Sequence, residues 1–169
     1  MKTMNPMVDQ LDREADRSRR VLERVPEGKD DWKPHPKSMP LGRLAQLVAT
    51  MPSWVSMIVQ RDDLDLNPPG GSNFSQPPLR TQRELVQALE RGVEEARETL
   101  EKATDDHLAK PWRLLVSGKV VSEDPRTIVL RDTMMHWAHH RGQLTVYLRL
   151  CDVPVPAIYG PSADENRFD

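Results

Sequence analysis

Cysteine is almost missing from this chain: Cys151 is the only one in 169 residues, which excludes an intrachain disulfide framework. No apolar run approaches the roughly 18 residues of a membrane span, and Met1-Lys2-Thr3-Met4-Asn5 opens no secretory hydrophobic region. Aromatic residues make up only 5%, with two Tyr and two Phe, too few and too scattered for a base-stacking platform. An excess of one charge is also lacking. Lys+Arg 24 against Asp+Glu 26 leaves a net −2, so no global field draws the protein to nucleic acid or an anionic membrane. These absences lead us to expect a soluble cytoplasmic protein with no nucleic-acid or membrane partner. Catalytic signatures are missing too: there is no Gly-x-Ser-x-Gly elbow, no glycine-rich phosphate loop and no His-Glu-x-x-His pair.

Helical periodicity is what the chain does have. Met4, Val8, Leu11, Ala15, Ser18, Leu22 and Val25 recur at alternating spacings of four and three, the stripe of a bundle helix. Asn5 suits its N-cap, Pro6 its first turn, and Pro26-Glu27-Gly28 its end. Arg13, Arg17, Arg19, Arg20 and Arg24 are interleaved with Asp9, Asp12, Glu14, Asp16 and Glu23, which reads as a solvated face laced with ion pairs. The proline-broken stretch from Asp30 to Pro40 is expected to be anchored by Trp32 and Met39.

A second helix is expected from about Pro40 to Gln60, broken or kinked at Pro52. The Pro- and Gly-rich connection from Arg61 to Arg80 is too long for a tight helical hairpin and reads as a crossover or a lid. Thr81-Gln82-Arg83-Glu84 fits a capping box for the third helix, beside whose stripe Gly92 permits close approach. Trp112 to Val121, with Ser117-Gly118 at its centre, reads as a small hairpin or as an extended flap. The last helix is expected to start at Asp124-Pro125, an N-cap and first-turn pair, and to run to about Leu150. The tail after it, carrying Val155, Ile158 and Tyr159, is expected to pack back on the helices. We therefore expect one domain over residues 1–169, all-α and built as a four-helix bundle with long connections and an irregular C-terminal extension.

Three of the five histidines lie in His136-Trp137-Ala138-His139-His140-Arg141-Gly142-Gln143. His136 and His140 are one turn apart on one face, close enough to share a divalent cation. The bland reading of such a pair is hydrogen bonding to neighbouring polar groups or water.

The segments Trp32-Lys33-Pro34, Lys37 to Ala45, Pro52-Ser53-Trp54, His136 to Leu144 and Val153 to Glu165 together resemble the DinB-like family of damage-inducible, YfiT-type metalloenzymes, which is unrelated to the DNA polymerase of similar name. The resemblance covers nearly the whole chain. It implies a four-helix bundle in up-down-down-up order, often a homodimer. It also implies a three-histidine site for nickel, zinc or a similar ion, one ligand on helix two and two spaced by four on the last helix. Relatives in that family include thiol-dependent S-transferases and a mycothiol-dependent maleylpyruvate isomerase. Carried over, His136 and His140 match the last-helix pair, but the helix-two position is Leu47.

Two imidazoles fall short of the three protein ligands usual at a catalytic zinc. Asp132 is eight residues from His140, about 12 Å along a helix axis, and Met51 offers only a thioether. His35 or His107 would have to arrive on a loop, and Gln143 or Tyr147 could only orient a ligand. The first functional expectation is a degenerate metal site on a DinB-like scaffold that binds a small molecule. The alternative is a metal-dependent S-transferase or hydrolase working with a low-molecular-weight thiol, with His136 and His140 as ligands and a third unseen. A purely structural interaction module, resting on an exposed Met135 and the long loops, is the third.

Overall fold

The computed structural model describes residues 6–71 and 77–167. The chain is mostly helical, at 55% helix. In order it forms α1 (Pro6–Leu22), α2 (Leu41–Thr50), α3 (Pro52–Gln60), β1 (Asp63–Asp65), α4 (Gln82–Lys102), α5 (Asp105–Leu108), β2 (Pro111–Val116), β3 (Lys119–Pro125) and α6 (Arg126–Leu150). Asn5 and Met4, expected at the start of the first helix, lie outside the described residues. Leu11, Ser18, Leu22 and Val25 are buried along the expected stripe. They join Leu41, Leu44, Val48, Leu89, Leu100, Leu130, Trp137, Leu144 and Leu148 in one core.

Helix two divides where Pro52 stands, into α2 and α3 on either side of Met51. Proline has no N–H to give the carbonyl four residues back, here that of Val48. That carbonyl instead accepts the indole N–H of Trp137 at 2.8 Å. The break in one helix thus supplies the acceptor that fixes α6 against it. Gly92 makes the neighbouring approach of α4 feasible, since a Cβ there would stand 3.3 Å from the Ser53 nitrogen and 3.4 Å from the Pro52 Cβ. At the start of α4 both halves of the capping box form: the Thr81 hydroxyl accepts from the Glu84 N–H, and the Glu84 carboxylate accepts from the Thr81 N–H.

The expectation of a purely helical protein needs correction. A three-stranded sheet in the order β1-β2-β3 is present, with β1 parallel and β3 antiparallel to β2. The Trp112–Val121 stretch is therefore a hairpin. Val116 pairs with Lys119 across Ser117 (φ 52) and Gly118 (φ 78), the two successive positive φ values of a type I′ turn. Asp65 secures this turn by accepting the N–H groups of Ser117 at 3.0 Å and Gly118 at 2.7 Å, so the parallel strand β1 is tied to the hairpin tip. Desolvation is the largest single influence and pushes its carboxyl up, but the hydrogen bonds from Asn67, Gly118 and Ser117 together overcome it and hold the group below the ordinary 3.8.

Because β3 extends through Pro125, α6 starts at Arg126 and has no side-chain cap; the expected Asp124 cap is spent in the strand. Arg126 is 1% exposed. Its guanidinium donates to the carbonyls of Ile58 (3.1 Å), Pro111 (2.9 Å) and Arg61 (3.0 Å), and it pairs with Asp62. One buried arginine therefore joins the end of α3, the start of the sheet and the start of α6.

The C-terminal tail packs back as expected, but the reading of the α1 arginines as solvated changes. The Arg17 and Arg20 side chains are only 14% and 13% exposed. Arg20 and Arg24 both pair with Glu165 of the tail, and Arg17 lies over the Tyr159 ring at 4.4 Å. Trp32 meets Tyr147 edge-on at 5.7 Å, and the Tyr147 hydroxyl donates to the Met39 carbonyl at 3.2 Å. The 30–40 stretch is anchored by the two residues expected to do so.

A candidate metal centre on the last helix

α6 carries the histidine pair on one edge of its buried face, because Trp137, Leu144 and Leu148 fix its rotation from within the core. The rings of His136 and His140 lie 4.5 Å apart between centroids, with their Nε2 atoms separated by 2.8 Å. His140 Nδ1 meets Gln143 Oε1 at 2.8 Å. An amide oxygen can only accept, so His140 carries its proton on Nδ1 and presents a lone pair at Nε2. His136 then donates its Nε2–H to that lone pair. Trp54 on α3 stands edge-on to His136 at 5.9 Å. Burial, followed by the nearby His140 and His139, lowers the His136 pKa below its ordinary 6.5. The neutral imidazole, the form that ligates metals, is favoured.

Two nitrogens each about 2.05 Å from one ion lie roughly 2.9 Å apart at a right angle and about 3.3 Å apart at the tetrahedral angle. The observed 2.8 Å therefore suits two adjacent coordination positions, with Gln143 holding one ring in place as such partners do. A third ligand is another matter. Among the described residues no three His, Cys, Asp or Glu side chains come together in a way that could hold an ion.

Leu47 is partly buried and packs on the apolar core. Met51 is wholly buried among apolar residues, and Asp132 is exposed. His107 is committed elsewhere, its Nε2 donating to the Val59 carbonyl at 2.7 Å, and the His35 Nδ1 accepts the Lys37 N–H in its own turn. Tyr147 serves the 30–40 stretch and not the pair. The described residues do not fit a three-histidine centre, and only His136 and His140 stand side by side.

Sequence reasoning missed a second polar cluster behind the pair. Arg141, 1% exposed, pairs with Glu14, 2% exposed, and donates to the Ser18 hydroxyl at 3.2 Å and the Tyr159 hydroxyl at 2.6 Å. Tyr159 in turn donates to Glu14 at 3.0 Å. Burial, the first of several opposing influences, raises the phenol above its ordinary 10.0. A signal was available: Arg141 falls between Trp137 and Leu144 in the α6 stripe, and Glu14 between Leu11 and Ser18 in that of α1. Opposite charges inside two apolar stripes are tolerated when they find one another. A cleft of about 1250 Å³ opens beside this cluster, between α1, the end of α4 and α6, with Glu14, Met134 and Tyr159 among its walls; the histidine pair is not part of its lining.

Among known proteins, an uncharacterised Bacillus subtilis protein, YrdA, is 44% identical over 41 residues, a match spanning 24% of this chain and 25% of that protein. The fold is similar to the crystal structure of a DinB-like protein, YjoA, from Bacillus subtilis, with a TM-score of 0.68 and 18% identity over 96% of this chain and 100% of that one. It is also similar to a DinB-like protein from Bacillus cereus, with a TM-score of 0.70 and 20% identity over 94% and 99% of the two chains. At these identities the likeness is one of fold. The family model described as the DinB family matches residues 1–167, and the chain belongs to that family.

Proposed function

We propose that this protein is a DinB-family scaffold whose metal centre is reduced to the pair His136 and His140, and that it binds a small polar molecule at this edge in place of three-histidine metal chemistry. Leu47 is the observation that carries the reading: a hydrocarbon packed on the core occupies the position from which the family resemblance expects the opposing imidazole. The two imidazoles and the Gln143 amide offer hydrogen bonds, and the Trp54 ring offers an apolar wall. We read α1, α2 with α3, α4 and α6 as the four members of an up-down-down-up bundle. The packing of α1, α2 and α3 against both α4 and α6 supports that reading.

Metal content decides the matter. Protein purified without an affinity tag or chelator should contain well under one equivalent of nickel or zinc by elemental analysis. Near-stoichiometric metal that disappears in His136→Ala would overturn the proposal.

A second reading is kept because the 2.8 Å nitrogen spacing and the Gln143 contact suit two metal ligands. It is a metal-dependent S-transferase or hydrolase that uses a low-molecular-weight thiol. A thiol-conjugation screen with and without added nickel or zinc tests it, and metal-dependent turnover abolished in His140→Ala is the result that would favour it.

A further inference from the structure

α2 and α3 together carry a single charged side chain, Arg43. It is exposed, and among the described residues no carboxylate pairs with it. At about 100° per residue Arg43, Leu47 and Trp54 fall within roughly 40° on one side of these helices. Three contacts show that this side meets α6, and in which direction. Trp54 stands against His136, the Trp137 indole donates to the Val48 carbonyl, and the Tyr147 hydroxyl donates to the Met39 carbonyl. The two elements therefore run antiparallel, and Arg43, midway between Met39 and Val48, comes level with Gln143. The Gln143 amide oxygen accepts from His140, so its N–H groups remain to donate.

Resting on the reading that this edge binds a small polar molecule, we propose that the molecule is a hydroxyaryl carboxylate. Its carboxylate lies on Arg43 and Gln143, its ring over Leu47 and its hydroxyl at the imidazole pair. A guanidinium and a primary amide each present N–H groups in a plane, the arrangement that suits a planar carboxylate. Leu47 follows Arg43 by one turn on the same side and is only partly buried, so hydrocarbon stands where the ring rests. In the neutral tautomers His136 Nδ1 has no proton and accepts from a hydroxyl. Gln143 and the middle of the pair are five residues apart, about 7 Å along the axis, a span that a para-disubstituted benzene ring covers.

Charge sets the orientation. Asp132 is exposed one turn beyond His136, at the end of the edge away from Arg43, and it repels a carboxylate from that end. Openness sets the strength. Arg43, His136 and Gln143 are all exposed, so a ligand of about ten heavy atoms keeps much of its surface in water and a dissociation constant near ~1 mM is expected.

Titration of the full chain with 4-hydroxybenzoate, followed by NMR, should give saturable shifts at Arg43, His136 and His140. The neutral 4-hydroxybenzamide, of the same shape, should bind more weakly, and so should benzoate, which lacks the hydroxyl. Arg43→Gln should weaken 4-hydroxybenzoate at least about fivefold, leave the benzamide unchanged and keep the thermal midpoint of the parent. His140→Ala should weaken 4-hydroxybenzoate and leave benzoate unchanged. No saturable shift up to about 20 mM, a benzamide bound as tightly as the acid, or an acid indifferent to Arg43→Gln would each overturn the carboxylate assignment. The histidine edge would still stand as the binding place if His140→Ala weakened the benzamide. Binding of every probe indifferent to His140→Ala would sink both readings.

Discussion

Leu47 is the residue on which the proposed reading of the histidine pair turns. Restoring an imidazole there tests both the alignment of helix two and the claim that two ligands already stand ready. Leu47→His should bind nickel or zinc at least about tenfold more tightly than the parent by titration calorimetry, about 1.4 kcal/mol. Adding His136→Ala should erase the gain. No gain in the single variant would mean that position 47 does not face the pair. Arg141 and Glu14 carry a different kind of weight. Truncating one partner of a buried ion pair strands the other charge. Glu14→Ala should therefore lower stability by about 3 to 5 kcal/mol in urea unfolding. Replacing both residues with leucine should recover much of that loss, since the desolvation cost vanishes with the charges.

At the scale of elements, Pro52 shows how a local defect serves tertiary structure. Pro52 withholds the N–H that Val48 would otherwise accept, and Trp137 takes the vacancy at 2.8 Å. The indole and the histidine next to it are thereby indexed to α2 and α3. The capping box at Thr81 is a purely local device. Thr81→Ala removes the acceptor for the Glu84 N–H and should cost about 1 kcal/mol, seen as a lower urea midpoint with an unchanged slope. These features were legible in the sequence because capping boxes and helix-breaking prolines act within one turn of chain. The sheet was legible only in part. Ser117-Gly118 announced a turn, but the partner strand β1 lies some 50 residues earlier and is only three residues long. No periodicity develops over so short a run.

For the whole molecule, the C-terminal tail is the segment whose attachment depends on charge. Glu165 accepts the Ala157 N–H at 3.0 Å and pairs with Arg24 and Arg20. The backbone bond first, and then the arginines against the opposing burial, hold its carboxyl below the ordinary 4.5. A depressed folded-state value means that the stabilisation is fully present above pH 4.5 and is lost as the pH falls through the lower folded value. Acidification through that window should release the tail, with faster proteolytic trimming after Leu150. Glu165→Gln should show the faster trimming already at neutral pH and a flatter dependence below 4.5. A parent chain whose tail stays equally protected through the window would contradict this assignment.

The sequence by itself determined the helices, their breaks, the membership of the family and the nearness of His136 to His140, because each depends on spacing along one chain or on residues recognised as a set. It also placed a leucine at position 47, and with it the shortfall of ligands. Only the tertiary structure decided that no loop histidine makes good that shortfall, since the Val59 carbonyl holds His107 and the Lys37 N–H of its own turn holds His35. The same holds for the charged interior. Arg141 and Arg126 acquire their partners only when Glu14, 127 residues away, and the carbonyls around Ile58 are brought to them. Burying a charge is tolerable only where partners converge from separate elements, and that convergence belongs to the packing of the helices against one another.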